Sequence, residues 1–250
     1  MDDSKILESR KITKEEYNLI IALISKYKLN SNNFINNSKT LLINKIDYNG
    51  MIYNGYNPEK NIINYNESSN LIRELLHVAS SNKSKYQGIC IKPNRVYPES
   101  LGIGLNEGIS DMFLELYNKE EGYFPFEKIC AKTLKYVYTV KLFHFYFTNN
   151  DGSFRHYLGK NIASFLLDLD EYMDKMLYAK YLYQKNGKIG EAMKLSIKVL
   201  MTVVINDLFK LIGESNKEYK NYLFKQLNGK SMKPIYNIIG EYDYSKFNRW

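Results

Sequence analysis

The sequence predicts an α+β fold that is mainly helical, with a small sheet toward the N-terminus and a helical C-terminal lobe. Three observations predict it. Strand-like runs such as Ile62 to Tyr65 occur only before Gly122. Two stretches follow, about residues 67–81 and 105–118, whose helices would be apolar on nearly all sides and therefore central. Beyond Gly122 and Pro125 the apolar spacing is helical throughout. The expected organisation is an N-terminal lobe over 1–122 and a helical lobe over 123–250. No repeat, low-complexity tail or long linker separates them, so they should form one compact two-lobed unit.

Taken in order, Lys14 to Lys28 carries a helical period of apolar residues, with Thr13 as a cap before Glu15 and Glu16. An Asn-rich stretch follows, with Asn-Gly turns at 49–50 and 54–55. Ile62-Ile63-Asn64-Tyr65 reads as a strand running into the helix-start composition Asn66-Glu67-Ser68-Ser69. Tyr86 to Lys92 reads as a second strand and Pro93 to Gly104 as a loop. The later helices are expected at about Phe126 to Phe147, Ile162 to Tyr183, Ile189 to Leu211 and Lys217 to Leu227. Breaks are expected at Asn149-Asn150-Asp151-Gly152, Asn186-Gly187 and Gly213.

Composition narrows the function classes. The chain has 250 residues, 44% hydrophobic and 25% charged, which suits a globular protein with a real core. Its 23 Tyr against one Trp reads as codon bias, with rings in the core and hydroxyls at its edge. The net charge of +8 raises nucleic acid and anionic membrane as partners. Yet the basic excess lies in residues 126–250, where lysines alternate with acids at helical intervals, and only five basic residues are Arg. That pattern describes a solvated surface better than a binding stripe. Cys90 and Cys130 lack metal or disulfide spacing and are expected to be reduced and half-buried. No stretch reaches the ~20 apolar residues of a membrane span, and no signal peptide is visible in Met1-Asp2-Asp3-Ser4-Lys5. A cytoplasmic protein without a membrane partner is the expectation.

The chemistry-bearing residues lie on the two central helices. Arg73 and His77 are four apart and Glu74 and His77 three apart, so all three share one side of the first. Glu107 and Asp111 repeat the spacing on the second. Ionisable groups in such apolar helices are costly unless paired or functional. By themselves they describe a structural ion-pair cluster.

Arg73-Glu74-Leu75-Leu76-His77 resembles HExxH with its first His replaced, and Asn106-Glu107-Gly108-Ile109-Ser110-Asp111 is similar to the second-helix motif of the gluzincins, the thermolysin-like zinc peptidases. The strings around them also resemble uncharacterised bacterial zincins, and the likeness covers roughly residues 61–118. The resemblance implies a zincin-like fold, with the C-terminal helices as the other wall of a cleft. It implies His77 and Glu107 as metal ligands, Glu74 as general base, Asp111 as the group that orients a ligating imidazole, and Asn106 beside them. The remaining ligand position holds Arg73, whose guanidinium has no lone pair for a metal. The expected function is therefore that of a catalytically impaired homologue that binds a peptide or protein in the former cleft. Arg73 would lie between Glu107 and Asp111 in place of the ion. No cofactor is expected, and zinc only if the site is active.

Two other readings stay open. One is an active metallopeptidase with an altered zinc site of His77, Glu107 and His156, the last as a replacement ligand or an oxyanion donor. The other is a basic helical nucleic-acid-binding protein. His144, in Leu142-Phe143-His144-Phe145, reads as a core or interface histidine. Gly102, Gly104 and Gly108 lack dinucleotide-loop spacing and read as a loop entering a helix.

Overall fold

The computed structural model describes residues 5–47, 55–66, 70–82, 87–96, 98–118, 122–148, 151–159, 161–213, 217–244 and 247. The fold is α+β and mainly helical. Four strands, β1 (Lys5–Arg10), β2 (Leu42–Asp47), β3 (Gly55–Asn57) and β4 (Ile62–Tyr65), form a mixed sheet in the order β1-β2-β4-β3. β2 and β4 are parallel, and the outer strands run antiparallel to their neighbours. Ile43, Tyr56 and Ile63 share the sheet face that packs on the core and are buried. Between β1 and β2 lie α1 (Lys14–Ser25) and α2 (Asn32–Ser38). The Thr13 hydroxyl accepts the Glu16 amide and the Glu16 carboxylate accepts the Thr13 amide, a reciprocal cap at the start of α1.

The two central helices are α3 (Leu71–Ser80) and α4 (Ile103–Asn118). Both supply residues to one continuous core, including Leu75, Leu76, Val78, Leu105, Ile109 and Phe113. Asn70 starts α3, its side chain accepting the amides of Ile72 and Arg73. At the other end, the Asn37 amide nitrogen donates to the carbonyls of Val78 and Ser81. α4 begins where Asp170 accepts the amides of Gly102 and Gly104, each at 2.7 Å. Its backbone then passes so close to α5 (Pro125–Tyr138) that a Cβ at Gly108 would lie 2.2 Å from the Glu127 carbonyl oxygen. Gly108 is thus required by helix packing, not by a loop.

The remaining helices are α6 (Lys141–Thr148), α7 (Asp151–Leu158), α8 (Ile162–Asn186), α9 (Glu191–Ile212), α10 (Lys217–Leu227) and α11 (Lys233–Ile239). α8 and α9 pack as a hairpin turned at Gly187, which has φ 69°. Among the described residues no helix is long and apolar enough to cross a membrane.

Several expectations need correction. Gln87 to Lys92 is not a strand, making only isolated bridges from Gln87 to Ser81 and from Ile91 to Leu101. The reason is Gly88 at φ +60° together with the Asn106 side chain, which takes up the backbone groups of Gln87 and Ile89. Tyr86 itself lies outside the described residues. The helix expected from Phe126 to Phe147 is two helices, interrupted at Thr139 with φ 58°. Strands β1, β2 and β3 and helices α2, α7 and α11 carry too weak a periodicity to be read. The turn at Asn49-Gly50, the Asn54 half of the next, Glu67 to Ser69, and Asn149-Asn150 fall outside the described residues. Cys90 and Cys130 are both buried, not half-buried. His144 is exposed on α6, not in the core, because its neighbours Phe143 and Phe145 take the inward positions.

Candidate functional site

α3 and α4 pack against one another, and their ionisable residues meet. Arg73 lies at the centre. Its Nε and Nη2 donate to Glu74 Oε1 at 3.2 and 2.9 Å, and its Nη1 is 3.3 Å from Glu107 Oε2. The guanidinium carbon also lies 5.1 Å from the Phe124 ring centre and 5.5 Å from that of Tyr123. Arg73 is thus held by two carboxylates and two rings. Burial works against its cation, but Glu107 and Glu74 outweigh that and hold its pKa above the usual arginine range.

Glu74 has both oxygens engaged. Oε1 faces Arg73, and Oε2 accepts the Tyr56 amide of the edge strand β3 at 2.9 Å. Its side chain is 4% exposed. A general base needs a free lone pair facing water, and both of these oxygens are committed to the protein.

His77 is buried and lies between Glu107, with Nε2 to Oε2 at 3.3 Å, and Tyr146, with Nδ1 to the hydroxyl at 3.5 Å. The hydrogen-bond chain beyond it assigns the protons. Ser110 donates to the Asn106 carbonyl at 2.9 Å, so at its 2.9 Å contact with Tyr146 it must accept. Tyr146 has then spent its proton on Ser110 and can only accept from His77 Nδ1. With Nε2–H directed at Glu107, the arrangement is the one a doubly protonated ring makes. Burial opposes that charge, but the charge and hydrogen bond of Glu107 outweigh it, raising the His77 pKa. Conversely, His77 and Arg73 overcome burial at Glu107 and hold its carboxyl down to about 2.

Asp111 takes a different place from the one expected. Its Oδ2 accepts the Phe124 amide at 2.6 Å, and its Oδ1 is buried with no hydrogen-bond partner among the described residues. Arg73 acts on it by charge alone and makes no hydrogen bond to it. The expected bridge from Glu107 to Asp111 is therefore a bridge from Glu107 to Glu74. Burial pushes the Asp111 carboxyl up to about 6. Asn106 anchors the chain, accepting from the Ile89 amide at 2.8 Å and donating to the Gln87 and Ile89 carbonyls. His156 stands exposed on α7, and none of the contacts at His77 or Glu107 involves it.

Sequence reasoning missed Tyr146, Ser110, Tyr123, Phe124, Glu127 and Lys180. Glu127 is buried behind Asp111, and burial pushes its carboxyl up to about 7. Lys180 reaches from α8 to the Tyr123 carbonyl at 2.9 Å. Of these, only the Ser110 of the second motif carried a local signal. Among the described residues no group of three or more His, Cys, Asp or Glu side chains is gathered as a metal ion requires. Compared with protein-family models, curated proteins and solved structures, the chain matches none.

Proposed function

We propose that this chain is a zincin-like protein whose metal site has become an ion-pair site, and that it acts by binding a peptide or protein instead of cleaving one. The observation that carries the reading is the guanidinium of Arg73, placed between Glu74 and Glu107 at 2.9 and 3.3 Å. The donor set does not fit a zinc ion. Arg73 offers no lone pair, and His77, with both nitrogens donating, offers none either. Glu107 alone remains as a donor, already shared by two cations.

Binding is supported by access. The side chains of Arg73 and Glu107 keep 16% and 15% exposure, and Tyr123 stands half-exposed beside them. Side chains held this firmly can meet a peptide with little ordering cost.

The test is metal content with peptide turnover. The purified protein should hold no stoichiometric zinc and leave casein peptides intact, while Arg73→His should take up zinc by removing the resident cation and restoring a donor. Stoichiometric zinc in the unaltered protein would overturn the proposal. An Arg73→His variant that folds yet takes up no zinc would remove the zincin-like geometry from it.

A further inference from the structure

A cavity of about 440 Å³ opens between the loop leading into α4 and the outer face of α8. That volume is within the range of pockets that hold ligands. Its wall is apolar, and much of that surface is uncovered: Val96 is 74% exposed, Ile103 49% and Leu167 41%. Singly exposed apolar residues are ordinary, but several around one cavity mark a contact surface.

The charge of the lining is opposite to that of the chain. Glu99, Asp170, Glu171 and Asp174 all border the cavity, and no Lys or Arg does so among the described residues. In a chain of net charge +8, this is a local reversal. The four acids are not equivalent. Asp170 is used internally, both oxygens accepting the amides that begin α4. Glu171 meets Lys175 at 3.1 Å on the same helix. Glu99 and Asp174 have no ion pair among the described residues. Both border the same cavity, and burial together with repulsion from Glu99 pushes the Asp174 carboxyl up. A cation between them would relieve that repulsion.

We infer that this cavity is a docking site for a basic amphipathic peptide segment of a partner protein. A Lys or Arg side chain would sit between Glu99 and Asp174, with neighbouring apolar side chains on Val96, Ile103 and Leu167. The acids exclude nucleic acid and anionic lipid by repulsion, and the apolar wall extends beyond what a small polyamine would cover. Ile103 is one helical turn from Glu107, so the site adjoins the α3–α4 cluster. The inference rests on the cavity alone and does not depend on the metal-site reading.

The test is fluorescence anisotropy with two labelled peptides of equal length, one alternating Leu and Lys and the other Leu and Glu. General attraction to a +8 chain favours the acidic peptide, so the expected result runs against the bulk charge. The basic peptide should bind at least tenfold tighter. Glu99→Gln with Asp174→Asn should weaken it about tenfold, and so should Leu167→Ser. These side chains are exposed, so the fold should survive, which far-UV circular dichroism checks. Equal or tighter binding of the acidic peptide would overturn the proposal. So would unchanged binding by the folded variants, or full displacement of the basic peptide by spermidine at matched charge.

Discussion

Replacing Arg73 with methionine tests the centre of the cluster, because methionine keeps the length and apolar stem while deleting the charge. Two carboxylates lose their cation, and both are shielded, Glu74 at 4% and Glu107 at 15% side-chain exposure. Removing one partner of a buried ion pair costs about 3–5 kcal/mol, because the other charge is left buried. A second route gives a similar size. Holding Glu107 at about 2 against an ordinary 4.5 amounts to roughly 3 kcal/mol of preference for its charged form, which Arg73 shares with His77. Loss of the contacts with Phe124 and Tyr123 adds about 0.5–2 kcal/mol. The expected loss is therefore about 3.5–7 kcal/mol, a large fraction of the roughly 5–15 kcal/mol that stabilises a domain.

Urea unfolding followed by circular dichroism measures it, with the double variant Arg73→Met plus Glu107→Gln as the decisive control. Neutralising Glu107 removes the stranded charge, so the double variant should recover about 1–3 kcal/mol of the loss. A single-variant loss below about 1 kcal/mol would place Arg73 among ordinary surface ion pairs. A double variant no better than the single one would show that the loss comes from packing, not charge.

Two further predictions follow from the same elements. Stability should peak near pH 4 and fall toward pH 8. Asp111 and Glu127 have folded pKa values of about 6 and 7, above their ordinary 3.8 and 4.5, so the stability they contribute is complete in acid and lost as pH rises through those values. His77, also raised, acts in the same direction. Glu107 works the other way, its contribution being present above 4.5 and lost as pH falls toward 2. The melting temperature between pH 4 and 8 reads the profile, and Asp111→Asn should flatten its alkaline side; a melting temperature that rises from pH 5 to 8 would refute the assignment. Separately, Gly108→Ala would set a methyl 2.2 Å from the Glu127 carbonyl oxygen. Because the obstacle is backbone, α4 and α5 must separate, and the variant should lose at least the roughly 1–3 kcal/mol of an overpacked core, read by urea unfolding. A variant as stable as the parent would mean that the two helices pack less closely.

What could be read in the sequence is what depends on local spacing. The single-sided placement of Arg73, Glu74 and His77 needs only a helix, and the helix was legible from Leu71, Leu75, Leu76 and Val78. The Thr13–Glu16 cap and the strand at Ile62 to Tyr65 were legible for the same reason. What escaped depends on residues far apart in the chain. Tyr56 donates its amide to Glu74 across 18 positions, and Tyr146 meets His77 across 69. Lys180 reaches Tyr123 across 57. No periodicity encodes such pairs. The Asn-rich stretch hid α2 because asparagine is a poor helix former, and α2 is held by contacts with α3 that local propensity does not show.

The balance of charge around His77 argues that arginine and imidazolium act together. Suppose Arg73 alone replaced a dication between Glu74 and Glu107. One cation would face two carboxylates, leaving a net negative charge in a shielded place. The second cation is His77, and the route of its protons through Tyr146 and Ser110 to the Asn106 carbonyl shows how the ring can carry it. Glu74 and Glu107 against Arg73 and His77 make a neutral set, which is the arrangement that buried charges require. Adding a dication to that set would place two positive charges beside two others, with repulsion of several kcal/mol per pair near 4 Å at an effective dielectric of about 20. Asp111 fits the same logic from the other side. With no imidazole or guanidinium bonded to it, it accepts the Phe124 amide, and burial pushes its carboxyl up to about 6. If Arg73 stands where a metal once did, as proposed, the second positive charge comes from His77, 3.3 Å from Glu107.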